Sequence, residues 1–300
     1  MSAKDDQHPP PEATDPFGTH APKGFQKAAL GLLGRLPPGP VSRRTALLTR
    51  RLAGARAPGV FDVEPFPQVR ARLHPSDNRC ERWALTTPQL WDRLERIALE
   101  HAIRAHQSAE TARPFVFVDV GANVGLYSLW ALSCARRLGH ALQALAIEPA
   151  PEALRRLRTN LALSEAEADI AVAPNAVAAR AGPVRLASHD GNQGETRIGA
   201  DLPDDAPNQA LVAAVHAAPL ADLVAATGLP TIDAMKIDIE GDERQALSAY
   251  FEAAPETHWP RLLIVEALEG TAPRGEAPFG DQGYRLVDRA RLNLVLARQN

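Results

Sequence analysis

Acidic residues in this sequence stand where apolar runs end. Five carboxylates follow or close such a run: Asp119, Glu148, Asp238, Glu240 and Glu266. Runs of this length are typical of buried parallel strands, whose carboxyl ends meet at one edge of a sheet. Carboxylates at that edge can accept hydrogen bonds from hydroxyl groups, attract a cation or take up a proton. The sequence therefore predicts an acidic site at the carboxyl edge of an α/β sheet.

The turn after the apolar run 115–118 is rich in glycine. It reads DVGANVG from Asp119 to Gly125, and apolar residues with a helical period start at Leu126. A strand, a glycine turn and a helix in this order form the first half of a nucleotide-binding βαβ unit. Gly121 is expected to let the backbone approach a ligand, and Gly125 to let helix and strand pack. A tight turn that binds nothing remains the alternative.

A second apolar run, 141–147, ends in Glu148 and Pro149. In a doubly wound sheet this strand lies beside the first, so Glu148 is expected next to the glycine turn. An acid there can accept hydrogen bonds from both hydroxyls of a ribose, each contributing about 1.5–3 kcal/mol. The alternative is that Glu148 only supports the helix that begins near Pro151.

A lysine and two acids surround the end of the strand predicted over 234–237. Asp238 and Glu240 are two residues apart, so an extended backbone points both to one side. Together with Lys236 they are costly to bury, and such groups are usually kept for chemistry. Acids that cap a helix N-terminus are the alternative, which suits Asp242 and Glu243.

The chain ahead of residue 62 differs from the rest. Residues 1–22 are rich in Pro, Asp and His and are predicted to be disordered. The stretch 16–61 contains no acid but eight Lys and Arg residues, with short helices predicted over 25–36 and 42–52. This basic arm (23–56) either contacts a membrane surface or an acidic partner weakly, or packs loosely as a solvated extension.

The sequence predicts three regions: a disordered and basic arm (1–61), a strand–helix extension on the substrate side (62–114) and a catalytic domain (115–300). In the extension, residues 62–73 are predicted to form one strand. Residues 74–83 are predicted to form a polar loop, either at a substrate entrance or simply on the surface, and a helix is predicted to start at Thr87.

The apolar content of 45% supports a substantial core, and the net charge of −3 argues against wholesale nucleic-acid binding. No apolar run reaches membrane-spanning length, and a cytoplasmic protein is expected.

These motifs together resemble the FkbM-type methyltransferase family. The matching stretches are FVDVGANVG at 117–125 with Tyr127 and Ser128, IEP at 147–149, NAV at 175–177, MKIDIEG at 235–241, and Gly283-Tyr284 with Asn293. The K-I-D-x-E-G run is the most diagnostic, because the first motif alone fits many methyltransferase families. The resemblance covers the chain from about residue 62 to its end, without a sharp match over 183–217.

The resemblance implies a Rossmann-like class I methyltransferase fold, with a mostly parallel, doubly wound sheet of about seven strands and an antiparallel C-terminal hairpin. It also implies S-adenosyl-L-methionine as cofactor, and O-methylation of a hydroxyl on a small molecule, sugar or glycolipid. Asp119, Gly121, Asn123 and Gly125 would hold the methionine part, Glu148 the ribose, and Asn175 with Ala176 the adenine. The same motifs assign Ala122, Tyr127 and Pro149 to the cofactor site.

On the acceptor side, the resemblance makes Asp238 a base or an orienting group, with Lys236, Glu240 and Glu266 close by. The three acids offer oxygen ligands to a divalent cation, but their spacing does not require one, and no metal is expected. The expected partner is a small-molecule or glycan acceptor. No nucleic acid is expected, because Asn-Pro-Pro-Tyr and Pro-Cys motifs are absent from the sequence. A non-catalytic or NAD-binding protein on the same scaffold is the alternative, although NAD would call for a middle glycine at the turn.

Overall fold

A seven-stranded sheet forms the centre of the part of the chain that the structure describes. The structure is a computed structural model, and it describes residues 14–37, 59–108, 113–189, 196–198, 209–241, 243–266, 278–290 and 292–299. Its strands are β1 (Phe61–Phe66), β2 (Val69–Leu73), β3 (Phe115–Val120), β4 (Leu142–Ile147), β5 (Ile170–Ala173), β6 (Ala176–Val177), β7 (Gly182–His189), β8 (Thr196–Ile198), β9 (Gln209–Ala218), β10 (Ala234–Ile237), β11 (Leu262–Glu266), β12 (Tyr284–Arg289) and β13 (Asn293–Arg298). Its α-helices are α1 (Gly24–Gly34), α2 (Arg79–Thr86), α3 (Arg93–Ser108), α4 (Leu126–Leu138), α5 (Pro151–Leu163), α6 (Leu220–Ala225) and α7 (Glu243–Ala253).

The strand order in the large sheet is β12-β13-β11-β10-β3-β4-β5. The five strands from β11 to β5 are parallel, and β13 pairs antiparallel with both β11 and β12. This is the mostly parallel, doubly wound sheet with an antiparallel C-terminal hairpin that the sequence predicts, so the fold prediction is confirmed.

Strand β3 is at the centre of the sheet and is buried along its whole length. Phe115 and Phe117 pack in the core on one face, and Val116, Val118 and Val120 pack in the core on the other. Because both faces are covered, the strand reads as a continuous apolar run rather than an alternating one. The chain leaves β3 towards β4 on one side and returns to β10 on the other, so its carboxyl end is the switch point where open α/β sheets bind ligands.

The region 62–92 differs from its prediction. The stretch predicted as one strand is an antiparallel hairpin of β1 and β2, with Gln68 in the left-handed region (φ 64°) after Pro67. Helix α2 begins within the stretch predicted as a polar loop, because Asn78 caps that helix by accepting a hydrogen bond from the amide of Glu81. Thr87, predicted to start the following helix, ends α2 instead, and α3 begins at Arg93.

The N-terminal arm is tied to the hairpin where the structure describes it. The amides of Gly18 and His20 donate to Asp62, although the sequence predicts disorder over 1–22. Asp62 also forms a buried ion pair with Arg72, whose guanidinium donates to the carbonyl of Asp15. Residues 15–20 are therefore held against the hairpin by hydrogen bonds to this buried ion pair. The first predicted arm helix is present as α1, and the second, 42–52, lies outside the described residues.

Strands β6, β9, β7 and β8 form a smaller sheet in that order. Its apolar side chains pack with Ala150 and Ala153 at the start of α5. No helix among the described residues has the length and apolar character that crossing a membrane requires.

Candidate active site

The predicted acids meet at the carboxyl edge of the sheet. In the register of the parallel strands, Asp119 on β3 pairs with Lys236 on β10. Asp238 follows β10 directly, and Glu266 is the last residue of the neighbouring β11. The fold therefore brings together side chains that are more than a hundred residues apart in sequence.

Lys236 is the cation at the centre of this group. Its Nζ lies 2.8 Å from a carboxylate oxygen of Asp238 and 4.9 Å from the ring centre of Tyr127, and its side chain is buried. Burial alone would lower the pKa of Lys236, but the charges of Asp238 and Asp119 raise it well above its usual range. The ammonium group is therefore charged, held by carboxylates and an aromatic face.

Asp238 and Glu266 share a hydrogen bond between their carboxyl groups. Burial and the charge of Asp238 raise the pKa of Glu266 to about 9. Burial would also raise the pKa of Asp238, but Lys236 and the hydrogen bond from Glu266 hold it below its usual range. Asp238 is thus the ionised member of the pair and Glu266 the protonated one.

Glu240 completes a group of three acids with this pair. Asp238, Glu240 and Glu266 each offer a carboxylate oxygen within 4.8 Å of the others. Glu240 adopts a left-handed backbone (φ 61°), and the turn that carries it is fixed by Glu243, which accepts hydrogen bonds from the amides of Ile239 and Gly241. The three oxygens could hold a divalent cation, or a shared proton could occupy the same place. The capping role predicted for Asp242 lies outside the described residues.

Asp119 faces the same edge from β3. One of its oxygens accepts from the amide and the hydroxyl of Ser128, at 3.0 and 2.7 Å. The other oxygen, Oδ1, is buried and has no hydrogen-bond partner among the described residues. Burial raises the pKa of Asp119, and the charge of Lys236 opposes that shift. A buried carboxylate oxygen without a partner is unusual and fits a ligand that brings a donor or a positive charge.

The two glycines of the turn are required by the protein itself. Gly121 has φ 75°, and a Cβ there would collide with the carbonyl oxygen of Asp238. Gly125 has φ 85°, and a Cβ there would press on the side chain of Leu157 in α5. The turn thus packs directly on the segment after β10. The sequence analysis instead expects Gly121 to let a ligand approach the backbone and Gly125 to let the helix pack on the strand.

Glu148 lies beside the turn, as the sequence predicts. Its two oxygens accept from the amides of Asn123 (2.7 Å) and Ala150 (2.8 Å), so it fixes both the glycine turn and the entry to α5. Burial raises its pKa to about 7. A carboxylate has about four acceptor positions, so the remaining ones are open to ligand hydroxyls.

The remaining residues predicted to bind the cofactor are spread around the same edge. Ala122 and Ala176 are buried, Pro149 is half-buried, and Tyr127 is buried with its hydroxyl donating to Asp92. Asn175 is half-buried and donates to the carbonyl of His216 at 3.3 Å.

Two residues that sequence reasoning missed also reach the site. Asn78 donates to the side-chain oxygen of Asn123 at 2.9 Å, and Asn123 is in the left-handed region with φ 51°. Asp92 accepts from Tyr127, and burial together with the charge of Glu95 raises its pKa to about 6. The density of polar residues before α2 is the signal that could have identified Asn78, while nothing in the sequence marks Asp92.

A buried arginine fixes the segment that carries Asn78. Arg156 on α5 pairs with Asp77 at 2.7 Å, Glu152 at 2.8 Å and Glu81 at 3.4 Å. Glu81 in turn accepts from the amide of His74. Residues 74–81 are therefore held rigidly against α5, next to the glycine turn.

The five acids of this site lie within a stretch of the chain that is similar to known methyltransferases. A family model described as the methyltransferase FkbM domain matches residues 119–282, more than half of the chain. The chain is also 29% identical over 208 residues to methyltransferase sdnD of Sordaria araneosa, a match that covers 60% of this chain and 77% of that protein.

Similarities to solved structures are distant. A methyltransferase FkbM from Methylobacillus flagellatus KT has a TM-score of 0.38 and 17% identity, with 90% of this chain and 58% of that chain covered. A SAM-dependent methyltransferase from Agrobacterium tumefaciens has a TM-score of 0.39 and 10% identity, with 70% of this chain covered. The chain spans 54% of the length of the latter protein.

Proposed function

Because this chain belongs to the FkbM methyltransferase domain family, we propose that it transfers a methyl group from S-adenosyl-L-methionine to a hydroxyl of a small molecule, sugar or glycolipid. The observation that carries the proposal is the meeting of Asp119, Lys236, Asp238 and Glu266 beside the glycine turn at the switch point of the sheet. Methyltransferase activity follows from the family. The cofactor and the hydroxyl acceptor are our proposal.

The residues at the turn fit S-adenosylmethionine chemically. Its amino group is a donor and a cation, which suits the unpartnered oxygen of Asp119, and its ribose hydroxyls suit the remaining acceptor positions of Glu148. We place its methionine part along Asp119, Gly121, Asn123 and Gly125, and its adenine near Asn175 and Ala176. Ala122, Tyr127 and Pro149 line the same edge.

The acidic surroundings of the turn also favour binding of S-adenosylmethionine over binding of NAD. The pyrophosphate of NAD is negative, and the carboxylates of Asp119 and Glu148 would repel it at close range. A sulfonium cation is attracted by the same charges. The electrostatics therefore favour S-adenosylmethionine over NAD on this scaffold.

Asp238 is proposed to orient the acceptor. When bound, S-adenosylmethionine supplies an electrophilic methyl group, and the protein's part is to hold the acceptor oxygen in line with it. Because Lys236 and Glu266 lower the pKa of Asp238, its carboxylate is a weak base at rest and a good hydrogen-bond acceptor for a hydroxyl. It takes up the hydroxyl proton as the oxygen becomes acidic during transfer. Lys236, Glu240 and Glu266 set its charge and position.

The domain division is a proposal on the same basis. We assign the segment 62–114 to the substrate side, because Asn78 and Asp92 border the site from it through Asn123 and Tyr127. Residues 115–300 would then bind the cofactor. We further propose that the acceptor is a small molecule or glycan and that nucleic acid is not a substrate.

Titration calorimetry with S-adenosylhomocysteine, with NAD as the control, tests the proposal first. Micromolar binding of S-adenosylhomocysteine alone is expected, and binding of NAD alone would refute the cofactor assignment. A screen of hydroxylated acceptors with labelled methyl donor then tests the reaction. Labelling confined to amine or carbon acceptors would refute O-methylation.

A further inference from the structure

The turn between α2 and α3 brings Asp92 to the site. Its carboxylate accepts a hydrogen bond from the hydroxyl of Tyr127 at 3.1 Å, and the ring centre of Tyr127 lies 4.9 Å from Nζ of Lys236. Lys236 is in turn 2.8 Å from a carboxylate oxygen of Asp238. A continuous series of contacts therefore joins Asp92 to Asp238, the residue that we propose to orient the methyl acceptor.

A second series of contacts joins the same two residues by another route. Asp238 shares a hydrogen bond with Glu266, and Glu266 pairs with Asn293 across β11 and β13, so their side chains lie on one face of the sheet. Asn293 donates to Glu95 at 2.7 Å, and Glu95 follows Asp92 by three residues at the start of α3. With Tyr127 and Lys236, these residues close a polar ring at the carboxyl edge of the sheet.

Asp92 is one of the acids of the polar ring that reach solvent. It is half-buried, as are Asp238 and Glu266, whereas Glu95 lies buried beneath them in the first turn of α3. Burial and the charge of Glu95 raise the pKa of Asp92 to about 6, so its carboxylate is mostly ionised at about pH 8. A carboxylate has about four acceptor positions, and the contact with Tyr127 uses one of them. The remaining positions can accept hydrogen bonds from a ligand.

The backbone at Asp92 is unusual and firmly held. Its φ is 38°, in the left-handed region that residues other than glycine rarely adopt. The amide of Arg96 donates to the carbonyl of Asp92 at 3.0 Å, and its guanidinium donates to the carbonyls of Trp91 and Pro88 at 2.7 and 2.6 Å. This guanidinium is buried and lies 4.5 Å from the ring centre of Trp130. The carboxylate of Asp92 is therefore positioned by the fold before any ligand binds.

We propose that Asp92 is a specificity-determining residue, which accepts a hydrogen bond from a second hydroxyl of the methyl acceptor next to the hydroxyl held by Asp238. The preferred acceptor is then a neutral vicinal diol on a saturated ring. An acceptor with a negative charge is disfavoured, because carboxyl groups line the polar ring and Lys236 is already paired with Asp238. This inference rests on the proposed function, since it requires that a hydroxyl at Asp238 is methylated.

Methylation of matched acceptors by the full chain tests the proposal. Labelled methyl transfer is measured at about pH 8 with vicinal cyclohexanediols, with cyclohexanol, which lacks the second hydroxyl, and with vicinal dihydroxycyclohexanecarboxylates, which add a negative charge. The wild type should prefer the diols over both other acceptors by at least about tenfold in kcat/KM, as expected for one hydrogen bond to a charged group. Asp92→Asn should reduce the preference over cyclohexanol to within about twofold, through a higher KM for the diols.

The ratio of the two kcat/KM values separates contact with the acceptor from a structural role. If Asp92 only holds Tyr127, Asp92→Asn lowers the rates with diol and with cyclohexanol equally, and the preference stays as in the wild type. Partial unfolding of the variant also leaves the ratio unchanged, because it alters only the amount of active protein. Asp222→Asn is the matched control, because Asp222 is exposed on α6, and it should keep the wild-type preference.

The Asp92 proposal and the proposed function fail in different ways. The Asp92 proposal is overturned if the wild type methylates cyclohexanol or the carboxylates as well as the diols, if no diol is methylated, or if Asp92→Asn keeps the preference. Binding of S-adenosylhomocysteine in those cases leaves the cofactor assignment intact. No binding of this ligand, or labelling confined to amine or carbon acceptors, overturns the proposed function and the Asp92 proposal with it.

Discussion

Glu266 donates a hydrogen bond to Asp238 across the tips of two adjacent parallel strands. Only one of the two carboxyl groups is ionised, because a second negative charge at this distance would be strongly disfavoured. The ammonium group of Lys236, 2.8 Å from Asp238, balances the remaining charge. The pair thus stores one proton at the place where we propose that the acceptor hydroxyl binds.

The stored proton makes stability depend on pH. The pKa of Glu266 is raised from its ordinary 4.5 to about 9, so its contribution to stability is fully present below about pH 4.5 and is lost as the pH rises towards about 9. Glu266→Gln keeps a neutral donor at every pH and should reduce the alkaline fall of the thermal midpoint. Thermal unfolding by circular dichroism from about pH 4.5 to about pH 9 checks this. Glu64→Gln, at an exposed glutamate on β1 away from the site, is the control and should retain the fall. An equally steep fall in Glu266→Gln would assign the proton elsewhere.

Asp238→Asn should separate binding from turnover. The amide keeps the size of the side chain but loses the negative charge that orients the acceptor, so methyl transfer should decrease by at least about a hundredfold. Affinity for S-adenosylhomocysteine should change little, since the turn that holds it is untouched. Calorimetry and a labelled-methyl assay measure the two effects. Wild-type turnover in this variant would move the proton acceptor to another residue.

Glu148→Ala should weaken cofactor binding and also destabilise the fold. Lost hydrogen bonds to ribose would cost about 1.5–3 kcal/mol of binding free energy. The amides of Asn123 and Ala150 would lose their partners, which costs a further ~1–3 kcal/mol of unfolding free energy for each amide left buried. Calorimetry and denaturant unfolding measure these quantities. Glu148→Gln keeps one strong acceptor, so its affinity and its stability should lie between those of the wild type and of Glu148→Ala. If Glu148→Ala shows reduced stability but unchanged affinity, Glu148 has a structural role only.

Two substitutions at Asn78 distinguish its roles. Asn78→Ser preserves the helix cap on Glu81 but removes the donor to Asn123, whereas Asn78→Ala removes both. The serine variant should keep most of its stability and lose cofactor affinity, because Asn123 is no longer held. The alanine variant should lose a further ~0.5–2 kcal/mol of stability from the missing cap. Equal affinity of the wild type and the serine variant would show that Asn78 does not position the turn.

Gly121→Ala should be far more damaging than Gly139→Ala. Both glycines have positive φ, 75° and 71°, so both variants carry backbone strain of about 1–3 kcal/mol. Only at Gly121 does the added methyl group collide with backbone, the carbonyl of Asp238, while nothing lies within 4 Å at Gly139. Denaturant unfolding should show a larger loss for Gly121→Ala by several kcal/mol. Equal losses would contradict the close packing of turn and strand.

The sequence by itself determined the sheet and the acids at its edge. The apolar runs before Asp119, Glu148 and Asp238 are local patterns, because a buried parallel strand requires apolar side chains on both faces. The order of strands along the chain and the short glycine turn then permit few topologies, since parallel strands are joined by right-handed crossovers. The family resemblance followed from the same local motifs.

Only the tertiary structure decided which groups touch. Asn78 and Asp92 reach the site because the segment of the hairpin and α2 packs against α4 and α5, which no local pattern specifies. Gly121 must be glycine because Asp238 lies against it, although 117 residues separate the two positions. Contacts of this kind depend on the packing of distant segments, and their geometry is set by the whole folded core rather than by neighbours in sequence.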